Sequence, residues 1–329
     1  MASFKRSRNF QSEINTGFGT SSSNSGGRFY NRSGGPNVIK RGINILDRNS
    51  WYHTMLAMSR GKFLFLIFTV YILVNIVFAG IYYVVGVEHL AGIHRGSFWK
   101  NFTEVFFFST QTFTTVGYGR ISPVGFLTSA VATFEAFLGL LSFAIATGLF
   151  YGRFSRPQAF LKFSHNALIA PYRDGIALMF RMSPFKNNNL SEAEVKLTLA
   201  MRVDENGKMA NKFYALDLEF SKVNSLALSW TVVHPIDEKS PLFDLTLEDL
   251  QSANAEVLVF VKAFDDVFSN TVMTRTSYVA AEIIWGAKFK LMYYTNEDQS
   301  KTVLDLDKIN EYEKIDLLQT VSIKQPVSG

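Results

Sequence analysis

Cysteine is absent from this chain of 329 residues, and charged side chains are scarce at 19%. Without cysteine there is no disulfide framework, thiolate zinc site, iron–sulfur cluster or cysteine nucleophile. Apolar residues, in contrast, make up 47% of the chain and include 31 phenylalanines, which excludes a largely disordered protein. At roughly 150 residues per domain, the length predicts about two domains, enough for a membrane part and a soluble part.

Positive charge is concentrated near the start of the chain. Residues 1–62 hold 10 basic and 2 acidic residues, whereas the remainder holds 23 basic and 26 acidic residues. Basic residues placed just before a hydrophobic run indicate contact with an anionic membrane surface, and we expect no nucleic-acid partner. Residues 1–37, rich in serine, glycine, asparagine and arginine, are predicted to form a disordered tail.

Two hydrophobic runs are long enough to cross a bilayer. Residues 63–87 contain no charge, and as a helix these 25 residues would reach about 37 Å. The second span is predicted over residues 123–152, with Glu135 as its only ionisable side chain. Two spans place both termini on one side, and the basic residues beside them place that side in the cytoplasm.

The segment between the two spans is apolar but too short to cross a membrane. Its pattern predicts a helix over residues 99–112, about half a bilayer long. Irregular backbone at membrane depth is tolerated only where protein covers it or where it lines a water-filled path. We therefore expect a re-entrant pore loop.

A glycine-bearing motif follows this short helix. Its residues are Thr115, Val116, Gly117, Tyr118 and Gly119. The motif matches the signature of potassium-selective filters, in which backbone carbonyl oxygens replace the water shell of the ion. The two glycines permit backbone conformations that a Cβ disfavours, so that successive carbonyls can point to one side. One copy supplies only part of a carbonyl ring, and the motif therefore implies four chains around one axis.

The regions flanking the motif resemble one family of two-span potassium channels. They are an interfacial slide helix predicted over residues 47–59, the end of the second span (GLFYGRFSRP, 148–157), and two downstream segments, SWTVVHPID (229–237) and EIIWG (282–286). Together they resemble inward-rectifier potassium channels of the prokaryotic, KirBac-type branch. The resemblance implies a homotetramer in the plasma (bacterial inner) membrane that holds K⁺ ions in its filter and needs no enzymatic cofactor.

The soluble part, residues 153–329, is predicted to be all-β. Residues 257–261 form a continuous apolar run, and apolar residues alternate with others in two further stretches. The alternating residues are Leu197, Leu199, Met201 and Val203, then Leu216, Leu218 and Phe220. Asn206–Gly207 is typical of a hairpin turn. Short strands with such turns predict a β-sandwich, and the resemblance implies an immunoglobulin-like cytoplasmic domain that extends the pore. In the predicted domain order, an N-terminal segment, residues 38–62, and a transmembrane pore domain, residues 63–152, precede this cytoplasmic domain.

Aromatic residues near the end of the second span are candidates for a gate. By the resemblance, Tyr151 is the inner constriction, Phe150 is the neighbour that could substitute for it, and Gly139 permits bending of the helix. Four rings meeting at one level could exclude water and close the pore by dewetting. The alternative for Tyr151 is an aromatic anchor at the membrane interface.

The resemblance also bears on block by cytoplasmic cations. Phe143 occupies the cavity position at which strongly rectifying relatives carry an acid that holds polyamines or Mg²⁺, and an uncharged residue there predicts weak rectification. Glu192 and Glu194 are candidates for an acidic ring in the cytoplasmic vestibule, or else exposed residues at a strand edge.

Glu135 is a functional candidate because an ionisable group inside a span needs a protein or water partner. Two placements are open, and bracing of the filter near Gln111 and Thr112 is favoured over facing the cavity and attracting K⁺. Many family members pair an acid and an arginine around the filter. Gln111 and Ile121, at the corresponding positions, cannot form that pair.

Four basic residues flank the spans on the predicted cytoplasmic side. They are Arg60, Lys62, Arg153 and Arg156. In the family these positions meet anionic lipid head groups, including phosphoinositides. The preference for positive charge in cytoplasmic loops explains the same residues without any regulation.

An enzyme would need a catalytic constellation, and the sequence contains neither a His-Glu-x-x-His motif, a P-loop nor a nucleophile elbow. His234, which precedes Pro235, is interpreted as a structural turn residue. The alternative to a channel is a membrane-anchored sensor or binding protein whose β-domain recognises a ligand. That alternative leaves the loop between the spans unexplained.

Overall fold

The structure, a computed structural model, describes residues 17–18, 28–39, 41–42, 51–94, 96–186, 189–205 and 208–317. Contacts within the chain divide it into two units. Residues 40–156 form the membrane unit, and residues 1–39 together with 157–329 form the β unit.

Among its described residues, the membrane unit contains four α-helices and one two-stranded ladder. The elements are α1 Trp51–Ala57, α2 Arg60–Val85, β1 Leu90–Ala91, α3 Phe98–Phe113, β2 Ser122–Pro123 and α4 Phe126–Phe154. Helices α2 and α4, with 26 and 29 residues, are long and apolar enough to cross a membrane. The two spans and the half-length helix between them follow the predicted order.

The ends of these helices differ from the predicted ends for physical reasons. Helix α2 begins at Arg60, three residues early, because charged residues can continue a helix beyond the hydrocarbon. It ends before Gly86, whose φ of 119° is not helical. Helix α4 begins at Phe126, three residues late, because Pro123 pairs with Leu90 in the β1–β2 ladder.

An apolar cluster joins the three longer helices. Tyr82 of α2 meets Phe108 of α3 edge to face, with ring centroids 5.2 Å apart, and Val105 is fully buried in the same cluster. Other apolar side chains of the unit, such as Phe65 and Phe126, are exposed. A surface of this composition is stable against lipid or another protein chain rather than against water.

Among its described residues, the β unit contains two five-stranded sheets and two two-stranded ladders. Its elements are β3 Leu161–Phe163, β4 Ala167–Tyr172, β5 Gly175–Pro184, β6 Leu190–Glu205, β7 Lys208–Leu216, β8 Lys222–Leu226, β9 Trp230–Ile236, α5 Leu247–Ser252, β10 Glu256–Asp265, β11 Asn270–Val279, β12 Ile283–Trp285, β13 Ala287–Phe289, β14 Tyr293–Thr295, β15 Thr302–Leu304 and β16 Tyr312–Lys314. One sheet has the order β11-β10-β6-β7 with β8 also on β6, and the other has the order β12-β4-β5-β3 with β9 also on β5. Strand β12 pairs parallel with β4, whereas the other pairs within these sheets are antiparallel. The two ladders are β13–β16 and β14–β15.

One apolar core lies between the two sheets, as expected of a β-sandwich. The alternating residues of β6, from Leu197 to Val203, are buried in it. The second predicted alternation is only partly a strand, because β7 ends at Leu216 and Phe220 is exposed. Strand β6 pairs with β7 up to Glu205 and Lys208, and the predicted turn between them lies outside the described residues.

Residues 28–36 lie on the β unit, although composition predicted a disordered tail up to residue 37. Phe29 is buried against Phe213, and its backbone N–H donates to the Glu256 carboxylate at 2.7 Å. Arg28 donates to Glu282 at 2.6 Å. A single aromatic anchor and a few charged hydrogen bonds order a segment whose average composition gives no such signal.

Candidate functional site

The filter motif follows the last residue of α3 after one intervening threonine. The backbone N–H groups of Val116 and Gly117 both donate to the carbonyl oxygen of Gln111, at 2.9 and 3.2 Å. In a trans peptide the N–H and the C=O point in opposite directions. The carbonyls of Thr115 and Val116, which belong to these two peptides, therefore point away from α3.

Three residues of the motif adopt left-handed backbone conformations. Gly117 and Gly119 have φ values of 52° and 80°, as the sequence predicted from the absence of a Cβ. Thr115 also has a positive φ, of 58°, which its residue type did not indicate.

All five filter residues are exposed in the single chain. Val116 exposes 53% and Tyr118 exposes 78% of its surface. Large apolar side chains beside a strained backbone need packing partners to hold them. One chain therefore presents one side of a potential ion path and leaves the packing of that side to other protein.

Glu135 is fully buried among three helices, behind the filter. Its carboxylate accepts hydrogen bonds from the hydroxyls of Tyr82 on α2, at 2.6 Å, and Ser109 on α3, at 2.5 Å. The Ser109 hydroxyl also lies 3.0 Å from the side-chain oxygen of Asn75 on α2. All four residues have no exposed surface. We call them the Glu135 cluster.

The Glu135 carboxylate lies against α3, where its contact is Ser109 rather than Gln111 or Thr112. Its role in bracing the filter, one of the two placements predicted, stays a prediction. Tyr82, Asn75 and Ser109 were not predicted as partners of Glu135. The available signal was a polar residue, Ser109, directly after three phenylalanines.

Gly139 lies against the end of α3. A Cβ at this position would stand 1.9 Å from the carbonyl oxygen of Phe113, two residues before the filter. Helix α4 continues without interruption from Phe126 to Phe154. Close packing of two helices is thus one reason for a glycine here, and the bending predicted for Gly139 stays a prediction.

The two candidate gate residues have different surroundings. Tyr151 exposes 75% of its surface. The ring of Phe150, in contrast, packs edge to face on Phe63 of α2, with centroids 5.2 Å apart, and stacks on Phe154. Phe143, about two turns beyond Glu135 on the same helix, is also exposed.

Comparison with known proteins identifies the family of this chain. Residues 66–156 match the family described as "Ion channel", and residues 161–327 match "Inward rectifier potassium channel C-terminal domain". The inward rectifier potassium channel Kirbac3.1 of Paramagnetospirillum magnetotacticum is 35% identical over 289 residues, which cover 86% of this chain and 95% of that protein. The chain belongs to the inward rectifier potassium channel family.

Mammalian inward rectifiers are more distant. Human inward rectifier potassium channel 18 is 28% identical over 74% of this chain, and bovine ATP-sensitive inward rectifier potassium channel 12 is 29% identical over 74%. The alignments span 60% and 61% of those two proteins. Among solved structures, the sporulation control protein Spo0M of Bacillus subtilis aligns at 8% identity with a TM-score of 0.22, covering 39% of this chain and 50% of that chain, which is too low to indicate a common fold.

As an inward rectifier potassium channel, the protein is a membrane protein and not an enzyme, and its β unit is the cytoplasmic domain of the family. Among the described residues, no group of three or more histidine, aspartate or glutamate side chains could hold a metal ion. His234 is buried, with its ring nitrogens 2.5 Å from the carbonyl oxygen of Asp217 and 2.7 Å from the Ser240 hydroxyl. Burial lowers the pKa of His234, so the ring is held neutral as a structural element.

The four candidate lipid-binding residues of the channel are not equivalent. Arg153 donates to the carbonyl oxygens of Met58 and, at 3.2 Å, of Met55, near the end of the slide helix α1. Its guanidinium also lies over the ring of Phe63, 5.1 Å from the centroid. The other three, Arg60, Lys62 and Arg156, are exposed. Arg153 thus links α4 to α1 and α2, whereas the other three side chains are exposed to the surroundings.

Both candidate vestibule acids lie on β6 beside lysines. Glu192 pairs with Lys222 of β8 and has a positive φ of 52°. The Glu194 carboxylate is 3.5 Å from the Lys196 ammonium. Each acid is therefore at least partly neutralised by a neighbour that sequence analysis did not take into account.

Proposed function

We propose that four copies of this chain form one K⁺-selective pore in the plasma membrane, with the carbonyls of residues 115–118 as the ion-binding sites. The observation that carries the proposal is the hydrogen bonding of Val116 and Gly117 to the Gln111 carbonyl, because it turns the opposite carbonyls away from α3. Four such ribbons around an axis replace the water shell of a dehydrated cation.

The pore helix adds an electrostatic contribution to ion binding. Helix α3 ends at Phe113, immediately before the filter, and its C-terminus carries about −0.5 elementary charge. Four ends of this kind around one cavity stabilise a monovalent cation there. The Glu135 cluster and Gly139 both contact α3, and in this proposal they fix the position of the pore helix behind the filter.

The gate is proposed at Tyr151. Its ring is exposed and available to meet three symmetry-related rings, whereas the ring of Phe150 is engaged with Phe63 in its own chain. Phe150 therefore serves as packing rather than as the gate. The cytoplasmic domain and both termini lie in the cytoplasm, from which the domain regulates opening.

Rectification is proposed to be weak. Phe143 supplies no negative charge for polyamines or Mg²⁺. Glu192 and Glu194, the remaining candidates, have lysine partners close enough to reduce the negative potential that a blocking cation would meet.

Anionic lipids are proposed to act at Arg60, Lys62 and Arg156. Each exposed basic residue near a membrane surface contributes roughly 1 kcal/mol to binding of anionic lipid. Arg153 is assigned to the joint between the slide helix and α4, since its guanidinium is already hydrogen-bonded to two backbone carbonyls.

A flux assay with purified protein in liposomes tests these proposals. We expect uptake of K⁺ or Rb⁺ that Ba²⁺ blocks and that Na⁺ does not match, with a rate that changes when phosphatidylglycerol or phosphoinositide is included. A tetramer is the expected species on size exclusion with light scattering. A dimeric or monomeric assembly, or equal permeation of Na⁺ and K⁺, would refute the proposed pore, and absence of any flux would favour a membrane-anchored binding protein.

A further inference from the structure

Glu104 of the pore helix joins two segments at the Gly119 end of the filter. One carboxylate oxygen lies 3.7 Å from a guanidinium nitrogen of Arg120, the residue that follows Gly119. The other oxygen accepts the backbone N–H of His94, at 3.1 Å, in the loop after α2. The Glu104 side chain is only 15% exposed, whereas that of Arg120 is 54% exposed.

Backbone contacts hold the same two segments together. The β1–β2 ladder pairs Leu90 with Pro123, and a Cβ on Gly92 would lie 1.9 Å from the carbonyl oxygen of Arg120. The residue after the filter is therefore packed directly against the loop after α2. Glu104 provides the side-chain link from both segments to α3.

The filter thus has a different attachment at each end. At the Thr115 end, backbone N–H groups bind the carbonyl of Gln111. At the Gly119 end, the link to α3 is the ion pair of Glu104 and Arg120. The carbonyls between these attachments replace the water shell of the ion, so their positions affect which ion binds.

We propose that Glu104 and Arg120 are positioning residues for ion selection, whose pair holds the Gly119 end of the filter at the spacing that suits K⁺. The proposal rests on the proposed K⁺-selective pore. Because Arg120 is half exposed, the contribution of the pair falls in the range of a partly solvated ion pair rather than a buried one.

The test compares neutralising variants in liposomes, with the K⁺/Na⁺ permeability ratio obtained from reversal potentials. Glu104→Gln and Arg120→Gln should each lower the ratio about threefold, the scale of a half-exposed pair. The double variant should be no worse than either single variant, since both remove one interaction. Glu88→Gln, which removes an exposed acid from the same loop, is the matched control and should leave the ratio unchanged.

A surface-charge effect predicts a different pattern. Removal of an acid and removal of a base would then change K⁺ flux in opposite directions, leave the permeability ratio constant, and make Glu88→Gln resemble Glu104→Gln. That pattern overturns the proposal. The charge-swapped double variant, Glu104→Arg with Arg120→Glu, decides the matter if a single variant fails to assemble. A ratio restored toward that of the unmodified channel supports positioning, and an assembled but unselective channel rejects it. Lack of K⁺ selectivity in the unmodified channel would instead reject the proposed pore.

Discussion

The buried residues of α4 are concentrated in its first half, where one face packs against the rest of the membrane unit, whereas Leu149 is the one buried residue of its second half. Thr128, Glu135 and Gly139 are buried in the first half, and Phe143 and Tyr151 are exposed in the second. Polar contacts of the first half involve the pore helix. Those of the second half involve the slide helix, through Arg153.

The difference corresponds to two physical requirements on one helix. Carbonyl oxygens that replace a hydration shell must keep their positions, and buried hydrogen bonds together with close packing supply rigidity. A gate must change position at low cost, and few buried contacts permit that. In the proposed channel, the first half of the helix supports the filter and the second half carries the gate residue Tyr151.

The largest effect is expected from Gly117→Ala in the filter. Its φ of 52° is unfavourable for a residue with a Cβ, and four copies meet at one ion site. We expect loss of K⁺ selectivity by at least about tenfold, or of conduction altogether. Gly80→Ala in α2, where a Cβ meets open space, is the control. Retained K⁺ selectivity in Gly117→Ala would contradict the assignment of residues 115–119 as the filter.

A pair of glycines in α4 separates packing from bending. A Cβ at Gly139 would meet the Phe113 carbonyl at 1.9 Å, whereas at Gly148 it meets no atom within 4 Å. Gly139→Ala should destabilise the assembled channel by about 1–3 kcal/mol, as overpacking does, and Gly148→Ala should leave its stability unchanged. Thermal unfolding of the purified tetramer measures both. If Gly139→Ala alters only open probability, the bending role predicted from the sequence is the better one.

Removal of the Glu135 carboxylate should weaken the packing of the first half of α4 against the pore helix. Glu135→Leu leaves the buried hydroxyl of Tyr82 without its acceptor, at a cost of about 1–3 kcal/mol, whereas the Ser109 hydroxyl keeps the Asn75 side-chain oxygen as an acceptor. We expect a lower unfolding temperature together with reduced selectivity, and a smaller loss for Glu135→Gln. Thr133→Val, at an exposed position of the same helix, is the control. An unchanged unfolding temperature for Glu135→Leu would show that the cluster contributes no support.

Tyr151→Ala tests the proposed gate in the second half of α4. Loss of four exposed rings should raise basal K⁺ flux a few-fold without changing selectivity, because the filter is not touched. Phe150→Ala, by contrast, removes packing on Phe63 and should lower stability without raising flux. The assay is uptake of Rb⁺ into liposomes. The reverse pattern, with Phe150→Ala raising flux, would move the gate by one residue.

The smallest effect concerns the cytoplasmic domain and its response to pH. Burial lowers the pKa of His234 below the value near 6.5 of an unfolded histidine, so the unfolded chain binds more protons under mildly acidic conditions. Stability should therefore fall as pH decreases below about 6.5, and His234→Gln should flatten this part of the profile. Calorimetric unfolding of the channel at several pH values provides the measurement. The exposed His165→Gln is the control, and an equal change in both variants would argue against His234 as the source.

The sequence was sufficient to predict the parts of the fold that depend on local composition and on the spacing of apolar residues. Scarcity of charge predicted the two spans, and the alternation from Leu197 to Val203 predicted a strand with one buried face. The unusual backbone conformations at Gly117 and Gly119 were predicted from the motif and the absence of a Cβ. The predicted start of α2 was wrong because it was placed at the first residue of the uncharged run. Charged residues limit the part of a helix that lies in hydrocarbon, but the helix itself begins at Arg60.

Contacts between residues far apart in the chain could not be predicted from local sequence patterns. Glu135 is identifiable as a costly intramembrane acid, but its partners Tyr82 and Ser109 are 53 and 26 residues away in the chain. The pairing of Glu104 with Arg120 was missed for the same reason, as was the anchoring of Phe29. No local signal connects such residues, because the geometry of the packed helices and sheets brings them together.

By itself, the sequence determined that this chain spans a membrane twice and presents backbone carbonyls through a glycine-bearing ribbon, because hydrophobicity and Cβ sterics act locally. Only the tertiary structure decided how that ribbon is held. The Gln111 carbonyl holds it locally. The Glu135 cluster, Gly139 and the pair of Glu104 with Arg120 join different helices and loops, and such contacts exist only once the helices are packed.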